Sequence, residues 1–267
     1  MVRAIVIGIG GRMGSTIARL ILETPQIKLA GVTERPGHTS IGKPLKEILN
    51  SAPSEIIVRP DLREIVSHCD VVIDFTTPET TLINMAIAQE AKKAMVVGTT
   101  GFSAEQGERI KAISKDIACL ISPNMSLGVN VLFKLAKEAA LVLGDDYDVE
   151  ITEAHHRFKQ DAPSGTALKL GHIVAQALKR DLQEVGVYGR QGLVGPRTNK
   201  EIGIQAARAG DIVGDHTIMF GGLGERLELI HRAHGRENFA RGALRAALWI
   251  VKQKAGLYDM QNLLGFT

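Results

Sequence analysis

The fold is decided by Gly8-Ile9-Gly10-Gly11-Arg12-Met13-Gly14, a glycine-rich stretch that links two patterned segments. The aliphatic run Arg3–Ile7 before it is typical of a buried strand, and Met13–Leu22 after it repeats apolar residues at helical spacing. Glycine lets the backbone approach a pyrophosphate, and the N–H groups and dipole at the start of a helix favour its negative charge. The stretch therefore predicts a dinucleotide-binding turn, although Met13 occupies the place of the usual third glycine.

The same alternation of strand and helix continues to about residue 126. Short apolar runs predict further strands and amphipathic stretches predict helices, namely strands at Leu29–Thr33, Val71–Phe75, Met95–Val97 and Ile117–Ile121 and helices at Glu79–Ala91 and Ala104–Ser114. Strands without polar alternation, connected by helices, indicate a parallel sheet that is covered on both faces. Residues 1–126 are therefore predicted to form an N-terminal doubly wound (Rossmann) α/β domain that binds a dinucleotide.

The pattern changes after residue 126. One helix is predicted at Val129–Leu143 and another begins at Ser164, while four runs predict strands and a glycine-rich stretch predicts a loop: Asp148–Ala154, Ile202–Arg208, His216–Phe220, Arg226–Arg232 and the loop Gly186–Lys200. Several of these strands alternate apolar and polar residues, which indicates a sheet with one covered face. Residues 127–236 are predicted to form a C-terminal α+β domain with a mixed, largely open sheet. The last helical stretch, Phe239–Gln253, is expected to pack back on the first domain, so that residues 237–267 complete it.

The composition excludes several classes of protein. The 267 residues carry 32 basic and 29 acidic side chains, distributed evenly, so neither half has the basic excess of a nucleic-acid-binding domain. No apolar run approaches the ~18 residues of a membrane helix, and the N-terminal run is too brief for a signal peptide. Cys69 and Cys119 lie in or beside apolar strands without CxxC spacing. We therefore expect a soluble cytoplasmic protein with free thiols and with no nucleic-acid or membrane partner.

Glu34 and Arg35 stand at the end of the second predicted strand, where Glu34 follows Gly14 by 20 residues. A carboxylate there accepts hydrogen bonds from the adenosine ribose of NAD, and a neighbouring guanidinium can hold the additional phosphate of NADP. The pair predicts use of both NADH and NADPH. Two loops follow later predicted strands, namely Gly98-Thr99-Thr100 and Ser122-Pro123-Asn124-Met125. Because ligands bind beyond the carboxyl ends of the strands in such sheets, we expect the nicotinamide near these loops.

Four potentially cationic side chains crowd into five positions in the second half: His155, His156, Arg157 and Lys159. Such crowding costs solvation and repulsion unless an anion fills the site. A metal site is not expected, because adjacent histidines on an extended chain point to opposite faces and no cysteine is near. Ser164 can cap a helix whose first N–H groups, at Gly165 and Thr166, would donate hydrogen bonds to a carboxylate. These features predict a site for a small anionic substrate.

Taken together, these segments resemble the 4-hydroxy-tetrahydrodipicolinate reductase (dihydrodipicolinate reductase) family over nearly the whole chain. The most specific is His-His-x-x-Lys-x-Asp-x-Pro-Ser-Gly-Thr at 155–166, and the others are Gly8–Gly14, Glu34-Arg35, Gly98–Thr100, Arg208–Gly214 and Tyr258–Met260. The resemblance implies an NAD(P)H-dependent oxidoreductase of the diaminopimelate route to lysine, which reduces 4-hydroxy-tetrahydrodipicolinate, or its dehydrated form dihydrodipicolinate, to tetrahydrodipicolinate. It also implies that the second domain binds this small dicarboxylate and assembles a homotetramer through its sheet.

Carried over position by position, the resemblance implies a role for each matching residue. His155 and Lys159 would be proton donors and therefore catalytic, while His156, Gly165 and Thr166 would bind the substrate. The cofactor-binding residues would be Gly8, Ile9, Gly10, Gly11, Arg12, Met13, Glu34, Arg35, Gly98, Thr99, Thr100, Ser122, Pro123, Asn124 and Met125. One departure from the family pattern is Phe158, which stands between the expected catalytic residues where many relatives carry another histidine.

Two other functions are compatible with the residues alone. A related two-domain amino-acid or aldehyde dehydrogenase would differ in having no site for paired carboxylates. A non-catalytic NAD(P)-binding sensor would differ in leaving His155 and Lys159 dispensable. The sequence sets neither the ratio of NADH to NADPH use nor the form of the ring that is reduced.

Overall fold

The structure is a computed structural model that describes residues 1–50, 52–53 and 55–266. The chain divides into two compact units, of which the first comprises Met1–Leu127 together with Arg236–Thr267, and the second comprises Gly128–Gly235. Within the described part of the chain, no helix combines the length and the apolar character needed to cross a membrane.

The first unit is built on a sheet of seven parallel strands: β1 (Val2–Ile7), β2 (Ile27–Thr33), β3 (Val58–Arg59), β4 (Val71–Asp74), β5 (Ala94–Val97), β6 (Ala118–Ile121) and β12 (Gly256–Tyr258). Their order across the sheet is β12-β6-β5-β4-β1-β2-β3. The direction of winding reverses between β1 and β4, and a crevice at such a reversal is where doubly wound sheets bind their ligands. The predicted doubly wound parallel sheet is confirmed.

Helices cover both faces of this sheet: α1 (Arg12–Leu22), α2 (Pro78–Glu90), α3 (Ala104–Ile113), α7 (Glu237–Ile250) and α8 (Met260–Leu264), with short 3-10 turns at Leu45–Glu47, Leu62–Glu64 and Val66–His68. Side chains of β1 alternate between two apolar cores. Ala4 and Val6 face the core formed with α1 and α7, whereas Ile5 and Ile7 face the core formed with α2 and α3. The C-terminal helix α7 therefore belongs to the first unit, where its Glu237 pairs with Arg19 of α1.

The second unit contains a five-stranded mixed sheet: β7 (Asp148–His155), β8 (Gly186–Val187), β9 (Ile202–Arg208), β10 (Gly214–Gly221) and β11 (Arg226–Ala233), in the order β11-β10-β7-β9-β8. Strand β10 is antiparallel to both of its neighbours, and the other pairs are parallel. The remaining elements are α4 (Leu127–Leu143), a turn at Gly144–Asp146, α5 (Gly165–Ala177) and α6 (Leu182–Val185). Helices α4 and α5 share one apolar core with one face of the sheet. The predicted α+β unit with a largely open sheet is confirmed.

The structure contains three strands that were not predicted from the sequence, namely β3, β8 and β12. Strands β3 and β8 have two residues each, and β12 has three. Strand β8 occupies the beginning of the segment that was predicted as a loop over Gly186–Lys200, so that part of the prediction is wrong. Each added strand lies at an edge of its sheet, where it pairs with a single longer neighbour. Such short edge strands form because a neighbour offers a free row of N–H and C=O groups, and they carry no periodicity of their own.

Candidate active site

The glycine turn lies directly after β1. Gly8 adopts a positive φ of 72°, and the N–H groups of Gly8 and Ile9 donate to Thr33 O at 2.9 and 3.1 Å, which ties the turn to the end of β2. A Cβ atom on Gly14 would lie 2.0 Å from Gly8 O, so only glycine allows α1 to approach the turn this closely. Gly14 thus takes the packing role of the third glycine, one position later than the usual pattern.

The beginning of α1 is suited to an anion. Its N-cap residue is Gly11, and no side chain of the described residues caps the helix, so the N–H groups of the first turn are open to a ligand. Glu34 lies beside the turn and accepts a hydrogen bond from Gly10 N at 2.8 Å. The adjacent Arg35 is exposed. These residues fit a dinucleotide, because uncapped N–H groups face the pyrophosphate position and a carboxylate and a guanidinium adjoin it.

The ends of β4 and β5 are joined by a buried polar network that the sequence did not reveal. Asp74 accepts hydrogen bonds from Thr76 N at 2.9 Å, from Thr76 Oγ1 at 2.6 Å and from Asn84 Nδ2 at 2.8 Å. Burial raises the pKa of the Asp74 carboxyl, against the opposing effect of these donors. The Thr81 and Thr99 hydroxyls are 2.8 Å apart, and Thr99 is buried. The network fixes the loop that contains Gly98, Thr99 and Thr100.

The loop after β6 is held by its own polar atoms. Ser122 Oγ donates to Asn124 O at 2.8 Å, and Asn124 Oδ1 accepts from Ser126 N at 2.9 Å. The Met125 side chain lies in the core, as does that of Ile9 in the glycine turn. The side chains of Ile9 and Met125 are therefore not available to a cofactor, and these two residues can offer it only backbone atoms. The other predicted residues of the first unit lie at the carboxyl ends of β1, β2, β5 and β6.

The second unit has a buried carboxylate next to the predicted catalytic histidine. Glu153 and His155 are two residues apart on β7 and therefore share one face. Glu153 Oε2 lies 2.6 Å from His155 Nδ1, and Glu153 also accepts from Arg208 Nη1 at 2.8 Å, Arg208 Nη2 at 2.9 Å and Ser164 N at 3.0 Å. Burial alone would raise the pKa of the Glu153 carboxyl, but these hydrogen bonds outweigh it and hold the pKa below its ordinary value.

The turn after β7 carries the other predicted site residues. Lys159 N donates to His156 O at 3.1 Å, and Lys159 Nζ contacts both carboxylate oxygens of Asp161 at 2.8 and 2.9 Å. His156 Nδ1 is buried and has no hydrogen-bond partner among the described residues, which suits an atom that binds a ligand. Phe158 is 79% exposed and lies beside His156, with ring centroids 6.4 Å apart.

Helix α5 begins at this turn, as predicted. Ser164 caps it by accepting from Ala167 N at 3.2 Å, and the exposed Gly165 is its first residue. Ser164 Oγ also lies 3.1 Å from His216 Nε2. Burial lowers the pKa of His216 to about 4, with a further contribution from the neighbouring His155, so this imidazole is neutral near pH 7.

The second unit therefore brings together His155, His156, Lys159, Gly165 and Thr166 at one end of its sheet. Four neighbours were not predicted as site residues: Glu153, Asp161, Arg208 and His216. A signal for Glu153 existed, because a carboxylate two positions before a histidine on a strand lies on the same face. No group of three or more potential metal ligands occurs within the part of the chain that the structure describes.

A doubly wound sheet with an open glycine turn, together with a second unit that carries cationic and polar side chains, defines a pyridine-nucleotide-dependent oxidoreductase. Two family models match the chain: "Dihydrodipicolinate reductase, N-terminus" over residues 2–125 and "Dihydrodipicolinate reductase, C-terminus" over residues 128–264. The chain belongs to the dihydrodipicolinate reductase family.

Individual relatives agree with this assignment. The chain is 56% identical to the 4-hydroxy-tetrahydrodipicolinate reductase of Syntrophus aciditrophicus, with 100% of this chain and 99% of the relative covered. It is 54% identical to that of Syntrophobacter fumaroxidans, with 99% of each covered. These matches favour a reductase over an amino-acid or aldehyde dehydrogenase and over a non-catalytic sensor.

Solved structures show the same architecture. A dipicolinate-bound dihydrodipicolinate reductase from Paenisporosarcina sp. TG-14 superposes with a TM-score of 0.79 at 28% identity, covering 98% of this chain and 99% of that one. An amine dehydrogenase from Mycobacterium smegmatis gives a TM-score of 0.59 at 14% identity, covering 96% and 94%. The second likeness is evidence for the fold alone.

Proposed function

We propose that this protein uses NADH or NADPH to reduce 4-hydroxy-tetrahydrodipicolinate, or its dehydrated form dihydrodipicolinate, to tetrahydrodipicolinate in the diaminopimelate route to lysine. The observation that carries the proposal is the group of His155, His156, Lys159 and the α5 N-terminus in a chain of this family. Cationic side chains and helix N–H groups suit a small dianion. The solved relative with dipicolinate, a planar pyridine dicarboxylate, supports this class of substrate.

The cofactor is assigned to the first unit. The Gly8–Met13 turn would hold the pyrophosphate, and the loops Gly98–Thr100 and Ser122–Met125 would adjoin the nicotinamide. Glu34 would accept from the adenosine ribose, and Arg35 would pair with the 2′-phosphate of NADPH. Because both side chains are present, dual use of the two cofactors is proposed, within about tenfold of each other, or roughly 1.4 kcal/mol.

The chemistry is assigned to the second unit. A bound NADH or NADPH would supply a hydride to the conjugated imine of the substrate. The resulting enamine requires one proton, for which Lys159 and His155 are the proposed donors, so each turnover consumes one reduced cofactor and one proton. If the hydroxylated ring is the form that binds, one water is also lost. His156, Gly165 and Thr166 would bind the carboxylates and orient the ring.

The assembly and location are proposed with the same activity. The face of the second unit's sheet that has no helix against it would join four chains into a homotetramer. Cys69 and Cys119 are both free and buried, which suits a protein of the reducing cytoplasm.

The function is tested by replacing Lys159. With substrate freshly generated by the preceding enzyme, the wild-type protein is expected to oxidise both NADH and NADPH. Lys159→Ala should lower kcat by roughly 10²–10⁴, because the enamine loses its proton donor, while NADH affinity changes little. His155→Gln should act in the same direction. The exposed Lys137 on α4 provides the matched control, since Lys137→Ala removes an equal charge away from the site.

Stopped-flow turnover at saturating substrate and fluorescence titration with NADH measure the two quantities. Near-normal turnover of Lys159→Ala would leave Lys159 as a carboxylate anchor only. Absence of cofactor oxidation by the wild-type protein would contradict the proposed substrate itself.

A further inference from the structure

The Glu153 carboxylate lies at the centre of the second unit's polar cluster, and its side chain is fully buried. We propose that Glu153 is a positioning residue that fixes the tautomer of His155 and anchors the two segments that carry the other site residues. This inference rests on the proposed function, because His155 is its proposed proton donor. The supporting contacts all lie within the second unit.

Glu153 determines which nitrogen of the His155 imidazole carries the proton. An ionised carboxylate can only accept hydrogen bonds, so the 2.6 Å contact with Glu153 Oε2 requires the proton to be on His155 Nδ1. In the neutral ring Nε2 is then the unprotonated nitrogen, which is the atom that can receive and return a proton. Nε2 lies on the side of Gly214, since a Cβ atom on that glycine would be 3.0 Å from it.

Hydrogen-bond donors around Glu153 favour its ionised form. A buried carboxylate is costly unless donors compensate it, and here Arg208 donates from both terminal nitrogens while Ser164 N donates from the backbone. The same donors hold the pKa of the Glu153 carboxyl below its ordinary value. Glu153 is therefore a carboxylate near pH 7 and holds His155 by accepting a hydrogen bond from Nδ1.

Glu153 is also connected to the segments that carry the other site residues. Arg208 Nη2 also donates to Asp161 O at 2.7 Å, and the Asp161 side chain holds Lys159. Ser164, which donates to Glu153 Oε1, is the N-cap of α5. One carboxylate thus connects His155, the turn that carries Lys159 and the helix terminus proposed to bind the substrate.

The charged and titratable groups around His155 are Glu153 on its own strand, Arg208 on β9, His216 on β10 and Lys159 on the following turn. His216 meets His155 edge to face, with ring centroids 5.2 Å apart, and its Nε2 is directed to Ser164 instead. Among the described residues, Glu153 provides the carboxylate that is hydrogen-bonded to His155.

Glu153→Gln tests the tautomer directly. An amide has one oxygen and one NH₂ group, so it cannot accept from His155, Arg208 and Ser164 in the way that a carboxylate does. If the amide oxygen takes the place of Oε1 and stays with Ser164 N, the NH₂ group faces Nδ1 and favours the opposite tautomer of His155. Selectively ¹⁵N-labelled histidine reports the tautomer by NMR, and a His155→Asn spectrum identifies the signal.

We expect a protonated Nδ1 on neutral His155 in the wild-type protein and its loss in Glu153→Gln. The variant should lose 10- to 100-fold in kcat, with NADH affinity within twofold of wild type, because the cofactor is assigned to the other unit. Glu153→Asp keeps the charge and should recover part of the activity. Asp145→Asn is the control, because it removes a carboxylate that pairs with the largely buried Arg180. This pair lies near the opposite end of β7, so the substitution should change neither kcat nor NADH affinity.

The outcomes separate this inference from the function on which it rests. A wild-type His155 that carries its proton on Nε2 would overturn the inference, even if Glu153→Gln failed to fold. A folded Glu153→Gln protein with the wild-type tautomer and kcat would do the same. If the wild-type protein did not reduce the substrate, the proposed function would fail, and the tautomer in wild type and variant would still decide the role of Glu153.

Discussion

At the scale of single residues, we propose that Glu34 and Arg35 divide the recognition of the cofactor between them. Both carboxylate oxygens of Glu34 accept hydrogen bonds from backbone N–H groups. Gly10 N donates to one oxygen at 2.8 Å and Arg35 N donates to the other at 2.9 Å. Its carboxylate is therefore fixed next to the glycine turn. The Arg35 side chain is exposed and carries the positive charge that a ribose phosphate requires.

Arg35→Ala should distinguish these two roles. Loss of the guanidinium removes a charge-assisted contact that only NADPH can make, so we expect NADPH affinity to fall about tenfold or more while NADH affinity is nearly unchanged. Fluorescence titration with each cofactor measures both constants. Arg109→Ala, at an exposed position on α3, is the control. An equal loss for both cofactors would remove the role assigned to Arg35.

The candidate site shows which residues a sequence can reveal. His155, His156 and Lys159 are detectable because they are crowded within one local segment. Arg208 and His216 join them only through the sheet, because the register pairs His155 with Arg208 across β7 and β9, and Glu153 with His216 across β7 and β10. Such contacts depend on strand pairing between segments more than 50 residues apart, which local periodicity does not encode.

At the scale of elements, the long helices and the central strands were predictable because each buries a regular apolar pattern. The glycines inside two helices give an example of what the pattern does not show. A Cβ atom on Gly242 of α7 would lie 1.8 Å from Met125 O, whereas a Cβ atom on Gly107 of α3 would have nothing within 4 Å. The first glycine permits close packing of α7 on the loop after β6, and the second only weakens its helix.

The same substitution at these two positions should therefore have opposite effects on stability. Gly242→Ala forces a methyl group against a backbone carbonyl and should lower the free energy of unfolding by about 1–3 kcal/mol or more. Gly107→Ala should raise it by about 0.5–1 kcal/mol, because alanine is the better helix former. Urea unfolding followed by fluorescence of Trp249, the single tryptophan, reports on the unit that contains both sites. A stabilised Gly242→Ala protein would contradict the packing argument.

At the scale of the whole molecule, each unit has its own core. Within the described residues, helices cover both faces of the first sheet but one face of the second. In the second unit, α4 and α5 cover the face that includes Ile151 and Ile218. The opposite face carries Thr152, Thr217 and Ile230, which the register places side by side across β7, β10 and β11. Ile230 is 48% exposed there. Met219 on the same face lies between Glu150 and Glu228, so charged side chains flank this uncharged row. A half-covered sheet with such a row on its open face is suited to self-association.

We expect the wild-type protein to sediment at four times the 28.8 kDa mass of the chain. Ile230→Asp should dissociate the tetramer, because assembly would bury an unpaired carboxylate at a cost of several kcal/mol. Val142→Asp, at a position on α4 that is 82% exposed, introduces the same charge away from the open face and should leave the tetramer intact. Analytical ultracentrifugation of the three proteins at micromolar concentration measures the masses. A tetrameric Ile230→Asp protein would place the interface elsewhere, and a monomeric wild-type protein would exclude the proposed assembly.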